Sequence, residues 1–433
     1  MVRRRIVWGG LLLAAAGAGL LAGRRGGRGE TPVAFDPAAI RDQEIAFYQA
    51  RVARDPLGAR DLAVLAALHL ERGQATGSDA DLVRAEALAR RSFSHRRSRN
   101  SGAAVVLAAS LAAQHRFGEA YTVARDLAEF DPAPVSRALV GEIALELGRY
   151  DEAARWMASI RPLRFEPAIA PRYARWLELE GRPGEARDLL DAARQRLQEQ
   201  FGTPASQLAW FDLRLGELAF RNGRLDLAEQ AYRRGLGLLP GDRRLLAARA
   251  RLEAARGHWR QAIGLAEDAL AQGLDPAVLA LLSDAWRAAG DTGRAAEYSR
   301  ALETAVALVP GDLHRAWELF RLDHGGDARA AARRALAGLQ RRRDVYGSDL
   351  AAWALYRAGR PRDAWPFANQ ALARGTRDGL LHYHAGRIAL ALGDSARARR
   401  ELETALAISP RFDPWHADTA AALADALRRR AGP

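Results

Sequence analysis

Residues 209–242 read AWFDLRLGELAFRNGRLDLAEQAYRRGLGLLPGD, and this stretch decides the fold. Gly223 marks the end of a first helix, because a chain leaving a helix in the left-handed region does so at least cost on glycine. Ala228, five residues on, falls in a second helix, where a small side chain lets the two helices approach closely. Tyr232 follows four residues later on that helix, and Pro240 closes the unit because it cannot continue it.

Working outward, glycine followed five positions later by alanine recurs at Gly148/Ala153, Gly181/Ala186, Gly257/Ala262, Gly290/Ala295, Gly359/Ala364 and Gly393/Ala398. Including Gly223/Ala228, the glycine intervals are 33, 42, 34, 33, 69 and 34. The 69 is two periods with a degenerate unit at 310–344, around Leu322-Asp323-His324-Gly325-Gly326, and the 42 is one period plus an eight-residue insertion. A fixed period of this length marks a repeat array rather than a set of ordinary domains.

The pattern resembles the tetratricopeptide repeat family. Gly216, Gly223, Ala228, Tyr232 and Pro240 carry the resemblance in 209–242, as do Gly386, Gly393, Ala398, Ala405 and Pro410 in 379–412. The unit at 134–166 supplies Gly141, Gly148, Tyr150 and Ala153. The unit at 101–133 has Phe117, Ala120, Ala124 and Pro132, with His115 in place of the mid-repeat glycine. The tryptophan expected early in the first helix is generally missing. The expectation is an all-α, right-handed superhelical solenoid over 37–433, with about ten hairpins whose first helices line the concave side. Residues 57–94 read as a further hairpin with a longer loop around Gly73 to Ser78, and 416–430 as a capping helix with a polar face.

Composition agrees with helix throughout, since Ala, Leu and Arg dominate and the β-branched residues that favour strands are scarce. The net charge of +13 could point to nucleic acid, but all 65 basic residues are arginine, six of them lie within residues 1–30, and no long basic block follows. That distribution argues against a nucleic-acid partner. Cysteine is absent, which excludes disulfides, thiolate metal sites, cysteine nucleophiles and a lipidated N-terminal cysteine.

Arg3-Arg4-Arg5 precede an uncharged run from Ile6 to Gly23. A helix of 18 residues reaches about 27 Å, barely a bilayer core, so 1–23 reads as a signal peptide or a signal-anchor helix. Residues 24–36, rich in Gly and Arg, read as a flexible linker. Three arginines on each side of the run leave orientation open. The expected location is the bacterial cell envelope, with membrane contact through residues 6–23.

Catalytic motifs do not emerge. There is no His-Glu-x-x-His, no Walker-type phosphate loop and no Gly-x-Ser-x-Gly elbow. His382 and His384, two apart, point to different faces of a helix, and Asp323-His324 is read as shaping the turn of the degenerate hairpin. No catalytic, cofactor or metal residue is assigned. The resemblance implies instead that a protein or peptide segment lies along the concave groove. Carried over unit by unit, its contact positions give Arg175 and Glu178, then Trp210, Glu217, Phe220 and Arg221, then Arg244 and Arg251, then Asp284 and Arg287. The unit starting at 345 adds Tyr346, Asp349, Trp353, Tyr356 and Arg357, and the last adds Tyr383 and Arg387. Recurrent arginine would suit an acidic segment, and Trp353/Tyr356/Arg357 is the strongest candidate hot spot. The function expected is a non-enzymatic interaction scaffold, with an accessory or regulatory subunit of an envelope enzyme or export complex as the alternative.

Overall fold

The computed structural model describes residues 37–307 and 315–431, so the apolar segment 6–23 and the linker 24–36 lie outside the described residues. The described residues form 22 α-helices and no strand. After α1 (Pro37–Arg54) come ten hairpins, the first pairing α2 (Ala59–Thr76) with α3 (Asp79–His95) and the second α4 (Ser101–Ala113) with α5 (Phe117–Phe130). The third is α6 (Pro134–Glu146) and α7 (Tyr150–Ile160), the fourth α8 (Ala170–Leu179) and α9 (Pro183–Glu199), and the fifth α10 (Ala205–Arg221) and α11 (Leu225–Leu238). The sixth is α12 (Arg243–Ala255) and α13 (Trp259–Gln272), and the seventh α14 (Pro276–Ala288) and α15 (Thr292–Ala307). The degenerate unit is the eighth, α16 (Arg315–Asp323) with α17 (Ala328–Leu339). The ninth is α18 (Val345–Arg357) and α19 (Pro361–Leu372), the tenth α20 (Gly379–Ala391) and α21 (Ser395–Ile408), and α22 (Ala417–Ala431) caps the array. No helix among the described residues is long and apolar enough to cross a membrane.

The ladder read from the sequence has the expected physical basis. The turn glycines of the third to tenth hairpins take φ between +71° and +91°, and His115, standing in the glycine position of the second, is held at +59°. In the fifth hairpin a Cβ on Gly216 would collide with the Tyr232 ring, so the two helices close on each other only because that position has no side chain. The alanines five residues after the glycines are buried. One detail differs from expectation: there is no longer loop around Gly73, because α2 runs on to Thr76 and Leu82 packs into the space beside Gly73. The turn is the tight Gly77-Ser78, where the Ser78 hydroxyl accepts from the Asp81 amide and caps α3. The eight-residue insertion is absorbed by a long α9 and the 200–204 link.

Each hairpin presents its internal turn at one edge of the solenoid and its link to the next hairpin at the other. The coil is wound tightly enough for these edges to meet. The turn of the third hairpin touches the link leaving the eighth: the Arg343 amide donates to the Leu147 carbonyl at 3.2 Å, and the Val345 amide to the Tyr150 hydroxyl at 2.7 Å. The turn of the fourth touches the link leaving the ninth, where the Thr376 hydroxyl donates to the Leu179 carbonyl at 2.7 Å and Arg374 pairs with Glu180. The turn of the fifth, at Gly223, lies against Ile408 and Ser409 in the link leaving the tenth. The turn of the first meets the sixth hairpin, with Gly273 in the link leaving it set against the Thr76 carbonyl and Arg243 Nε donating to the Ala75 carbonyl at 3.0 Å. One circuit therefore takes about five hairpins. Trp259, at the turn of the sixth, stacks on Trp415 just before the cap, with centroids 5.8 Å apart.

Candidate binding face along the coil axis

The first helices of the fourth to tenth hairpins bring their polar side chains to the inner face, where most of them are paired. Glu178 on α8 is the hub. Its carboxylate lies 2.8 Å from Arg221, 3.4 Å from Arg175 and 3.7 Å from Arg214. Burial alone would raise this carboxyl, but the guanidinium groups of Arg221, Arg214 and Arg175 outweigh it and hold the group below its usual range. Glu217 repeats the arrangement one hairpin on, 2.6 Å from Arg214 and 3.7 Å from Arg251. Its carboxyl is likewise pushed up by burial and drawn further down by Arg214, Arg221 and Arg251. Glu146 has weaker help, and burial leaves its carboxyl raised.

One circuit further along the coil stands Tyr346 of α18, with the Arg175 guanidinium 5.5 Å from its ring centroid and that of Arg315 5.0 Å away. The fourth and ninth hairpins, stacked in successive turns of the coil, thus also touch on their inner faces. Arg315 continues the chain of pairs to Asp349 at 2.6 Å, and Asp349 to His384 Nδ1 at 2.8 Å. Between these turns a cavity of about 230 Å³ is bounded by Phe117, Glu146, Leu339, Tyr346 and Leu350.

The residues expected to line a groove therefore separate into two groups. Arg175, Arg221 and Tyr346 are tied to one another. Trp353 and Tyr383 are 1% exposed and belong to the core of the last hairpins. The Trp353 indole donates to Asp323 at 3.0 Å and stacks on His384 and Tyr356, with centroids 4.1 and 5.1 Å away. Trp210 and Phe220 are half-buried against the hydrophobic core. Arg244 bonds Asp242, the cap of its own helix, and Arg287 bonds His324. Tyr356, Arg357 and Arg387 remain together at the surface of the ninth and tenth hairpins. Arg387 donates to the hydroxyls of Tyr383 at 2.6 Å and Tyr356 at 3.2 Å, and Arg357 lies 3.3 Å from Asp323. Arg251 is half-exposed.

Asp323 and His324 precede the turn of the eighth hairpin, but its cap is Asp327, which accepts from the Ala330 amide, and their own side chains reach other hairpins. Asp323 accepts from Trp353 and lies 3.1 Å from His416 Nε2, while His324 lies 2.7 Å from Asp284. His382 pairs with Glu401 on the neighbouring helix. Sequence reasoning missed Arg214 and Arg315. The i,i+3 spacing of Arg214 with Glu217 was a visible signal for the first, whereas Arg315 is fixed by a partner 34 residues away. Among the described residues no group of three or more His, Cys, Asp or Glu is placed to hold a metal ion.

A tetratricopeptide repeat family model matches residues 381–412, within the tenth hairpin and the link after it. The chain carries a tetratricopeptide repeat there. Its solenoid is similar at low identity to several solved structures. One is PilW, described as a widely conserved type IV pilus biogenesis factor (22% identity, TM-score 0.40, 49% of this chain and 96% of that one). Another is a tetratricopeptide repeat protein from Parabacteroides merdae (15%, TM-score 0.41, 59% and 97%). A third is human IFIT1, crystallised as a dimer with PPP-AAAA (16%, TM-score 0.44, 87% and 95%). No curated protein matches the repeat protein's sequence.

Proposed function

We propose that this repeat protein is a non-enzymatic interaction scaffold of the cell envelope, which holds a segment of a protein partner on the inner face of its later hairpins. The observation that carries the reading is the division of that face. The arginines of the fourth and fifth hairpins are neutralised internally by Glu178 and Glu217, whereas Arg387 is held by the hydroxyls of Tyr356 and Tyr383 and lies partly exposed with Tyr356 and with Arg357, which pairs with Asp323. Two guanidinium groups beside a phenol ring favour a segment that offers carboxylates together with apolar contact. Membrane attachment is assigned to residues 6–23.

The test is affinity capture of the full chain from detergent-solubilised membranes, repeated with Arg357→Ala/Arg387→Ala. The reading expects a protein captured in fixed proportion by the wild type and lost from the double variant, with the helical circular dichroism unchanged. Capture that survives the double variant overturns the assignment of the patch. Mass measurement of the mature N-terminus separates an anchor from a cleaved signal.

A further inference from the structure

The strap of residues 409–416, which joins the tenth hairpin to α22, gathers a whole circuit of the coil around two consecutive side chains. Trp415 stacks on Trp259 of the sixth hairpin, with centroids 5.8 Å apart, and His324 of the eighth stands edge-on to it at 6.3 Å. His324 in turn lies 2.7 Å from Asp284 of the seventh. His416 lies 3.1 Å from Asp323 of the eighth, edge-on to Trp353 of the ninth at 6.0 Å, and stacked on Tyr383 of the tenth at 4.7 Å. Hairpins from all around one circuit meet these two residues, directly or through His324, so the strap lies across the coil axis at this end.

The strap also covers positions at which the family resemblance places partner contacts. The Tyr383 ring carries His416 and, 5.7 Å away, Phe412, which fills the space that a Cβ on Gly379 would need. Asp323, which holds Arg357 and the Trp353 indole, holds His416 as well. The strap has the chemistry assigned to the partner, since Phe412 and Trp415 flank the carboxylate of Asp413. A cap needs only a polar outer face, which α22 presents with Asp418, Thr419 and Asp425. An aromatic strap goes beyond that need, and it is longer than the links 239–242 and 273–275 within the array. Its hold is also incomplete. The Trp415 indole N–H is buried without an acceptor, which counts against the closed position. Asp413 accepts from the Trp415 and His416 amides of the strap itself, and loss of water, together with the nearby Asp323, raises its carboxyl against the pull of His416.

We propose that the strap is an autoinhibitory segment, in which Phe412 to His416 occupy the partner's seat on the ninth and tenth hairpins until a partner segment displaces them. This regulation rests on the scaffold reading above. A resident segment lowers the apparent affinity of an incoming one in proportion to the fraction of time the seat stands open. The chain at rest is therefore a weak binder, and a chain with a loosened strap a stronger one.

The experiment uses the full chain and the absence of native cysteine. Trp259→Cys/Trp415→Cys removes the stack, and a short bismaleimide then ties the strap to the sixth hairpin, so that the loosened and locked forms are one variant. The probe is a fluorescein-labelled peptide with the sequence of residues 409–418, followed by anisotropy. The loosened form should bind it roughly tenfold more tightly than the wild type, and locking should abolish the gain, with helical circular dichroism unchanged throughout. Equal binding by the loosened and locked forms overturns the autoinhibition. In the wild type, excess peptide should accelerate amide exchange at 415–418 while the seventh hairpin keeps its protection. Exchange that stays the same overturns displacement, whatever the variant does. Capture of a protein from membranes in equal amount by loosened and locked forms keeps the scaffold reading and sinks the strap. Peptide binding confined to the loosened form, with no protein captured from membranes, keeps the strap and sinks the scaffold reading.

Discussion

The Tyr150 hydroxyl accepts a hydrogen bond from the backbone amide of Val345, 195 residues further along the chain, at 2.7 Å. The bond joins the start of α7 to the first residue of α18, where an amide has no partner within its own helix. Tyr150→Phe should leave that amide unpaired and cost about 1–3 kcal/mol. Amide hydrogen exchange over 343–347 should accelerate while the turn of the sixth hairpin keeps its protection. Unchanged exchange at Val345 would show that the contact between turns does not depend on this bond.

Two glycines separate the cost of a backbone conformation from the cost of closing the coil. Gly181 has φ +71° and its missing Cβ would strike the Gly375 carbonyl, whereas Gly257 has φ +80° with open space beside it. Gly257→Ala should cost about 1–2 kcal/mol from its left-handed conformation alone. Gly181→Ala should cost more and also spread the turns, read as a larger radius of gyration by small-angle scattering. Equal dimensions for the two variants would contradict the clash.

Glu178→Gln leaves Arg175, Arg214 and Arg221 facing one another. Removing one partner of a well-buried pair costs about 3–5 kcal/mol, and the three guanidinium groups keep roughly a quarter of their surface in solvent. The expected loss is therefore nearer to about 1–2 kcal/mol, with part of it recovered in high salt. The pH dependence carries the same sign. Because the folded carboxyl lies below its unfolded value, its stabilisation is present above an unfolded pKa of about 4.3 and is lost as pH falls through the lower folded value. The variant should show a shallower acid limb in chemical denaturation.

Trp353 and Arg357 should part company on mutation. Trp353→Ala opens a cavity in the core of the ninth and tenth hairpins and should cost about 3–5 kcal/mol, seen as a lower melting temperature. Arg357→Ala should melt close to the wild type while weakening partner capture. A tryptophan variant that melts normally would place the indole outside the core.

His416 should give stability a dependence on neutral pH. Burial lowers its pKa, but the bond to Asp323 and the charge of Asp413 raise it overall, against Arg387; Tyr383, Trp353 and His384 complete its surroundings. A raised folded value means the contribution is fully present below an unfolded pKa of about 6.5 and fades as pH rises through the folded one. His416→Gln should flatten the melting temperature across that window. An unchanged slope would show that another group titrates there.

The hairpins were legible because their causes are local. A glycine at the turn, an alanine five residues on and a proline at the close each act within one unit, and even the His115 substitution kept its place in the ladder. The coil's closure was not legible, because Gly181 with Gly375, and Tyr150 with Val345, meet only through the accumulated pitch of five hairpins. The same accumulation changed the inner face. Family positions gave Arg175, Arg221 and Tyr346 as groove contacts, but nothing in a single unit shows that the ninth hairpin returns to meet the fourth. Trp353 was misleading for a related reason: its partner Asp323 lies 30 residues earlier, in the unit whose repeat pattern is weakest.

Stacked turns also change how this chain must fold. In an open repeat array each unit depends only on its neighbours, and stability is close to a sum of adjacent terms. Here the third, fourth and fifth hairpins gain neighbours only when the eighth, ninth and tenth exist, which introduces contacts of long sequence separation and favours slower, more cooperative folding. During synthesis from the N-terminus, the early turns wait uncovered for roughly half the length of the chain. Loss of the last hairpin would accordingly be felt at the fifth.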